Sequence, residues 1–254
     1  MLVVLSPAKK INEDRPVYEK QTVPQFVDEA AELISVLKKY TPKKLGQLMS
    51  LSANLSDLNV ARYQMWDQDH HSQLCKTAVL AFDGEAYNGL DASSFSKKDM
   101  DYAQDHLRIL SGLYGLLRPL DMLHPYRLEM GTTLKVKRKK NLYEFWGDKI
   151  VNEINTLVEA QQEKVLINLA SSEYFKAINK KKLNARVITP VFKDFKGGEY
   201  KTIMVYAKKA RGMMTRYILQ HQIEKADDLI GFDSDGYCYN KAASTDHELV
   251  FLRG

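Results

Sequence analysis

Short apolar runs alternate along the whole chain with longer stretches of helical periodicity, and that alternation restricts the fold more than any other feature. Residues 2–5 (LVVL), 77–82 and 165–169 read as buried strands. Strands over 186–192 and 201–206 flank a Gly197-Gly198 turn, 231–240 reads as a turn-rich strand pair, and 248–253 as an edge strand. Between these runs, 24–40 carries Phe26, Ala30, Leu33, Ile34 and Leu37 on one helical face. Thr41 caps a helix that begins at Pro42, another spans 56–66, Ser96 caps one more, and a long amphipathic helix covers 142–161. Such alternation predicts an α/β fold, a mixed sheet with flanking helices. The 254 residues, 44% hydrophobic and 27% charged, contain no linker, repeat or low-complexity run, which predicts a single domain over 1–254. No apolar run is long enough for a membrane span or a signal-peptide core, and two cysteines cannot build a disulfide framework; both point to the cytoplasm.

Chemistry concentrates in a few stretches. Residues 106–131 read HLRILSGLYGLLRPLDMLHPYRLEMG. Leu107, Leu110 and Leu113 stand near helical spacing and Gly112 is a helix-stopping residue, so the expected arrangement is a helix, a turn bracketed by Gly112 and Gly115, and a second short helix. Such a turn can offer backbone N–H groups to a phosphate, with Arg118 and Arg127 to neutralise it. Equally, it can be a buried corner in which Arg118 and Arg127 partner Asp121 and Glu129. The stretch YAKKARGMMTRYILQH from Tyr206 forms a basic amphipathic helix, with Lys208, Lys209, Arg211 and Arg216 away from the apolar side. Gly212 inside it costs roughly 1 kcal/mol against alanine, and close approach of another backbone would justify it.

Three predicted strands end in polar residues, where α/β proteins commonly keep ligands. The first runs into Ser6, Lys9 and Lys10, the second into the FDGEAYNGL loop with Glu85 and Tyr87, and the third into NLASSEYFKAI with Ser171, Glu173 and Tyr174. Ser171 or Ser172 would cap a helix there. Asp67, Asp69, His70, His71 and Cys75 are metal-ligand types, but their spacing matches no zinc pattern. The run Lys135, Lys137, Arg138, Lys139, Lys140 is expected to be a solvated loop. No nucleophile elbow, P-loop or dinucleotide fingerprint occurs.

Taken together, SPAK at Ser6–Lys9, FDGEAYNGL, LSGLYGLLRPLD, PYRLEMG, NLASSEYFK and YAKKARGMMTR resemble the YaaA peroxide-stress protein family, in order from the first strand to the last. The resemblance implies a cytosolic bacterial protein that limits hydrogen peroxide damage by lowering free intracellular iron. It further implies DNA binding, an unusual single-domain α/β fold, a positively charged cleft and a helix-hairpin-helix element, which maps here onto Leu110 to Pro119 with Gly112 and Gly115 in the hairpin. Here two residues separate the glycines, wider than the usual Gly-x-Gly turn. No cofactor or metal is implied, and no obligate protein partner is evident.

Three functional readings follow. In the first, duplex or structured DNA lies in a basic cleft on Lys9, Lys10, Gly112, Gly115, Arg118, Arg127, Lys208, Lys209, Arg211 and Arg216. In the second, Ser6, Glu85, Tyr87, Ser171, Glu173 and Tyr174 line a pocket that acts on a nucleotide or damaged nucleobase, with Lys9, Lys208 and Arg211 nearby. A peroxide-reactive thiol at Cys75, beside Lys76, or at Cys238 is a third.

Overall fold

The first strand, β1 (Leu2–Leu5), is buried along its whole length, as four apolar residues without alternation require of a strand covered on both faces. The computed structural model describes residues 1–254. After β2 (Lys10–Ile11) come the helices α1 (Val27–Leu37), α2 (Pro42–Met49) and α3 (Ala53–Met65). Ala30, Leu33, Ile34 and Leu37 form the buried stripe of α1. Thr41 and Ser52 cap α2 and α3 with hydroxyls that accept from the Lys44 and Leu55 amides.

Next in order are β3 (Lys76–Thr77), α4 (Ala78–Ala81), β4 (Phe82–Asp83), α5 (Glu85–Leu90), α6 (Lys97–His106), β5 (Leu107–Ser111), β6 (Gly115–Leu117) and β7 (Met122–Leu123). The strand expected over 77–82 is thus one helical turn between two short bridges. Its Ala78 and Val79 amides donate to the Asp121 and Pro119 carbonyls instead of to a ladder. Then follow α7 (Leu142–Trp146), α8 (Lys149–Glu159), β8 (Val165–Leu169), α9 (Ser172–Phe175), β9 (Arg186–Lys196), β10 (Glu199–Lys201), α10 (Met204–Gln220), β11 (Cys238–Tyr239) and β12 (Glu248–Arg253). The single helix expected over 142–161 breaks at Gly147, whose φ of +48° ends α7. The strand expected over 201–206 stops at Lys201, and helix takes over at Met204.

Eight strands make one mixed sheet in the order β11-β12-β9-β8-β1-β5-β6, with β10 also on β9. From β12 through β9, β8 and β1 to β5 every ladder is parallel; β11, β6 and β10 are antiparallel to their neighbours. Far from being an edge, β12 lies between β11 and β9. The order reverses at β1: the chain leaves it for β5 on one side and later returns to β8 on the other. That reversal creates a crevice outside the carboxyl end of β1, at Ser6. A single cluster of 64 buried residues spans the sheet and its helices.

The helix-hairpin-helix expected at 110–119 is corrected by the structure. Leu107 to Leu117 form a β-hairpin, with Ile109 opposite Leu117 and Ser111 opposite Gly115. Every residue of the run is buried, so its leucines carry no two-residue alternation, and their three-residue spacing imitates a helix. Both glycines are buried and pack against protein. A Cβ on Gly112 would stand 2.2 Å from the Leu128 carbonyl oxygen, and Gly115, at φ +66°, lies under the Trp146 ring. Trp146 Nε1 donates to the Gly112 carbonyl at 3.0 Å. A pair of helices joined by a short turn does exist elsewhere, in α2 and α3, where Ser50 takes φ +53°.

Gly212 behaves as its sequence position suggests. A Cβ there would fall 1.8 Å from the Ala86 carbonyl oxygen, so α10 and α5 touch backbone to backbone. Helix propensity alone says Gly212→Ala stabilises by about 1 kcal/mol; the contact says the opposite. Gly212→Ala is expected to lower the unfolding free energy by about 2 kcal/mol or more, read from the shift of the urea midpoint.

Candidate functional site

Ser6, the residue after β1, ties three elements together. Its hydroxyl accepts from the Ser171 amide at 2.8 Å and donates to Ser171 Oγ at 3.3 Å. From α5, the Tyr87 hydroxyl donates to the Ser6 carbonyl at 3.1 Å. At the end of β5, Ser111 Oγ shares a 2.6 Å hydrogen bond with the Tyr126 hydroxyl and accepts from the Tyr114 amide. Burial raises the pKa values of Tyr87, Tyr126 and Tyr174, so these phenols stay protonated and act as hydrogen-bond donors rather than bases. One step outward, Glu173 Oε1 accepts from the Gly131 amide at 2.9 Å. Glu129 holds Lys9 at 2.6 Å and Arg127 at 3.1 Å. These contacts fold the segment 126–131 over the strand ends.

The structure therefore brings Ser6, Tyr87 and Ser171 into direct contact, and sets Glu173 and Tyr174 immediately beyond them. Glu85 begins α5, partly exposed. The cations expected to line one cleft are mostly paired with carboxylates. Lys10 bridges to Asp83 at 2.5 Å. Arg118 is held by Asp121 and by the Val23 carbonyl at the sheet's edge strand. Lys209 faces Asp235 at 3.9 Å. Arg216 clamps the end of α5, donating to the Leu90 and Asp91 carbonyls and to Ser94 Oγ. Lys208, exposed, and Arg211, half-buried with its pKa lowered by that burial, are the two of the set without a carboxylate partner.

Unpaired cations gather instead around an open groove of about 610 Å³ between the α7–α8 junction and the α9 segment. Tyr143, Phe175, Asp148, Ser172, Lys176 and Lys180 line it. The ammonium groups of Lys176 and Lys180 sit over the Tyr143 and Phe175 rings, at 4.9 Å and 5.1 Å from their centres. Lys182 answers Asp148 at 2.6 Å. Upstream of Asn141, the cap of α7, the exposed residues Lys135, Arg138, Lys139 and Lys140 are likewise without ion pairs. The sequence signal was the run from Lys176 to Lys182, four lysines and no acid. The cluster and the groove share a wall, since the Tyr143 hydroxyl donates to the Glu173 carbonyl at 3.0 Å.

The stretch rich in metal-ligand types folds differently. His70 and His124 are buried with ring centres 5.3 Å apart, next to Trp66 and Tyr114. Asp67 stands 3.4 Å from His124 Nε2. No three His, Cys, Asp or Glu side chains are placed to hold a metal ion. Cys75 is buried and its thiol is pushed up to about 12, mainly by that burial, which leaves it inert. Cys238 is exposed.

Fold and site define a class: an α/β protein with a tyrosine-lined polar cluster at the switch point of its sheet and a lysine-rich groove beside it. No helix is long and apolar enough to cross a membrane. The family model described as peroxide stress protein YaaA matches residues 1–243, and the chain belongs to that family. It is 50% identical over 258 residues to a UPF0246 protein of Azoarcus sp. (strain BH72), covering 100% of this chain and 99% of that one. A UPF0246 protein of Ralstonia pickettii (strain 12J) is 50% identical over 254 residues, with the same coverage.

Burial lowers the pKa of both His70 and His124 below the usual 6.5, helped at His124 by the neighbouring His70. Folding thus keeps both rings neutral, and the unfolded chain binds more protons. Their contribution to stability is full above about pH 6.5 and is lost as pH falls from there through the folded values. His124→Gln should flatten the loss of stability between about pH 7 and pH 5, measured as the change in urea midpoint across that window.

Proposed function

We propose that the protein serves the peroxide stress response by binding DNA with little sequence selectivity, and that free intracellular iron falls as a downstream effect of that binding. The observation that carries this reading is the groove whose lysines lack carboxylate partners. Lys176 and Lys180, which line it, and the exposed Lys139 and Lys140 just before α7 are cations free to replace the counterions of a phosphate backbone. Lysine ammonium groups are point charges that do not read base edges, hence the weak selectivity. The short turn between α2 and α3 is a second element suited to phosphate, and Lys43 and Lys44 are exposed in the first turn of α2. Lys208 and Arg211 are likewise without a carboxylate partner.

Fluorescence anisotropy with a labelled duplex tests it. Neutralising about five phosphates gives a log–log salt slope on the order of −4 to −5. Lys176→Glu with Lys180→Glu is expected to weaken binding at least ~10-fold and to flatten that slope. Lys9→Glu with Lys10→Glu, which alters cations already paired, should change affinity less than ~3-fold. Unchanged affinity in the Lys176 and Lys180 variant contradicts the proposal.

One observation favours a second reading, an enzyme acting on a nucleotide or damaged nucleobase: the convergence of Ser6, Ser171 and Tyr87 at the switch point of the sheet. Buried phenols held protonated can donate to a base or a leaving group. Under this reading, wild-type protein releases a product from damaged nucleotides, and Tyr87→Phe abolishes the release while leaving DNA affinity intact. Absence of product across a panel of oxidised nucleotides excludes it.

A further inference from the structure

The hairpin of β9 and β10 carries a free strand edge whose side chains complement themselves. Gly197 and Gly198, both with positive φ, make a two-residue turn closed by Lys196 opposite Glu199. In such a turn the closing pair exchanges hydrogen bonds, so the next pair, Phe195 and Tyr200, is the non-bonded one. The Tyr200 N–H and C=O then point away from β9, and β10 pairs with no other strand.

Around that edge lies an exposed apolar surface. Phe195 and Met204 are 53% and 62% exposed, and Tyr200, Val205 and Tyr206 are exposed as well. Phe195 and Tyr200 already stack edge to face at 5.2 Å. A hairpin tip this apolar, beside an unpaired edge, is the kind of surface that another strand covers.

We infer that β10 is an interface between two copies of this chain, which pair antiparallel across a two-fold axis at Tyr200. Under that symmetry Tyr200 meets Tyr200 of the second copy, and Glu199 meets Lys201 in both directions. One face of the joined sheet then carries a row of four aromatic rings, Phe195 and Tyr200 from each copy. The other face carries Lys196, Glu199 and then Lys201 of the second copy, while Asp194 is buried and held by Arg253. Within one chain Lys201 already reaches Glu199 at 3.2 Å, so the pairing exchanges partners without burying an unmatched charge. This interface is independent of the groove.

The test is light scattering on purified full-length protein over a concentration series. Wild type is expected to pass from the mass of one chain to twice that mass as concentration rises. Glu199→Lys and Lys201→Glu each place like charges across the axis and are expected to stay at the mass of one chain. An equimolar mixture of the two variants restores opposite charges and is expected to recover the doubled mass, which also shows that both variants are folded. A single-chain mass for wild type at every concentration overturns the inference, whether or not DNA or another protein is found to cover the hairpin. So does a doubled mass that both variants retain.

Discussion

Backbone lying directly on backbone is the constraint on which the rest of the molecule depends. The contact between α5 and α10 has no room for a side chain at Gly212 or at Gly89, whose Cβ would meet the Lys209 carbonyl at 2.2 Å. Because α5 is pressed so close, Tyr87 reaches over the end of β1 and bonds the Ser6 carbonyl. The same device works at Gly112, where the 126–131 segment lies flat on the β5–β6 turn and delivers Glu129 and Gly131 to the strand ends. Adding a methyl group at these contacts moves an element of the site as well as costing stability.

Much of the scaffold was legible in the sequence because its pattern is local. Leu2–Leu5 and Val165–Leu169 declare buried parallel strands, and α1, α2 and α10 declare their apolar faces. Where both faces of a strand are buried, periodicity disappears, and Leu107 to Leu117 could pass for helix. The polar strand ends at Ser6 and Ser171 were likewise readable, since α/β sheets keep ligands there. Charge was not. Lys9 meets Glu129, and Lys10 meets Asp83, across distances in sequence that no local pattern encodes. Arg118 with Asp121 and Arg127 with Glu129 are close in sequence, and their structural pairing was readable as one of two alternatives.

Charge is therefore partitioned. Cations near the strand ends are spent on carboxylates and fix the geometry of the cluster, while those around Tyr143 and Phe175 remain free. The segment Ser172–Phe175 separates the two regions and serves both: Glu173 receives the Gly131 amide on one side and the Tyr143 hydroxyl on the other. A ligand that shifts α7 from the groove would thus act on the cluster through hydrogen bonds already in place. This arrangement sets a lysine-lined groove next to a preorganised polar crevice.

Lysine-reactivity footprinting with and without duplex DNA addresses the placement of that surface most directly, because every lysine reports at once in the unmodified protein. Protection of Lys176 and Lys180, extending to Lys139 and Lys140, with Lys9 and Lys10 left as reactive as in the free protein, is the expected result. Protection confined to Lys9 and Lys10, or none at the groove under conditions where the duplex is bound, would contradict it.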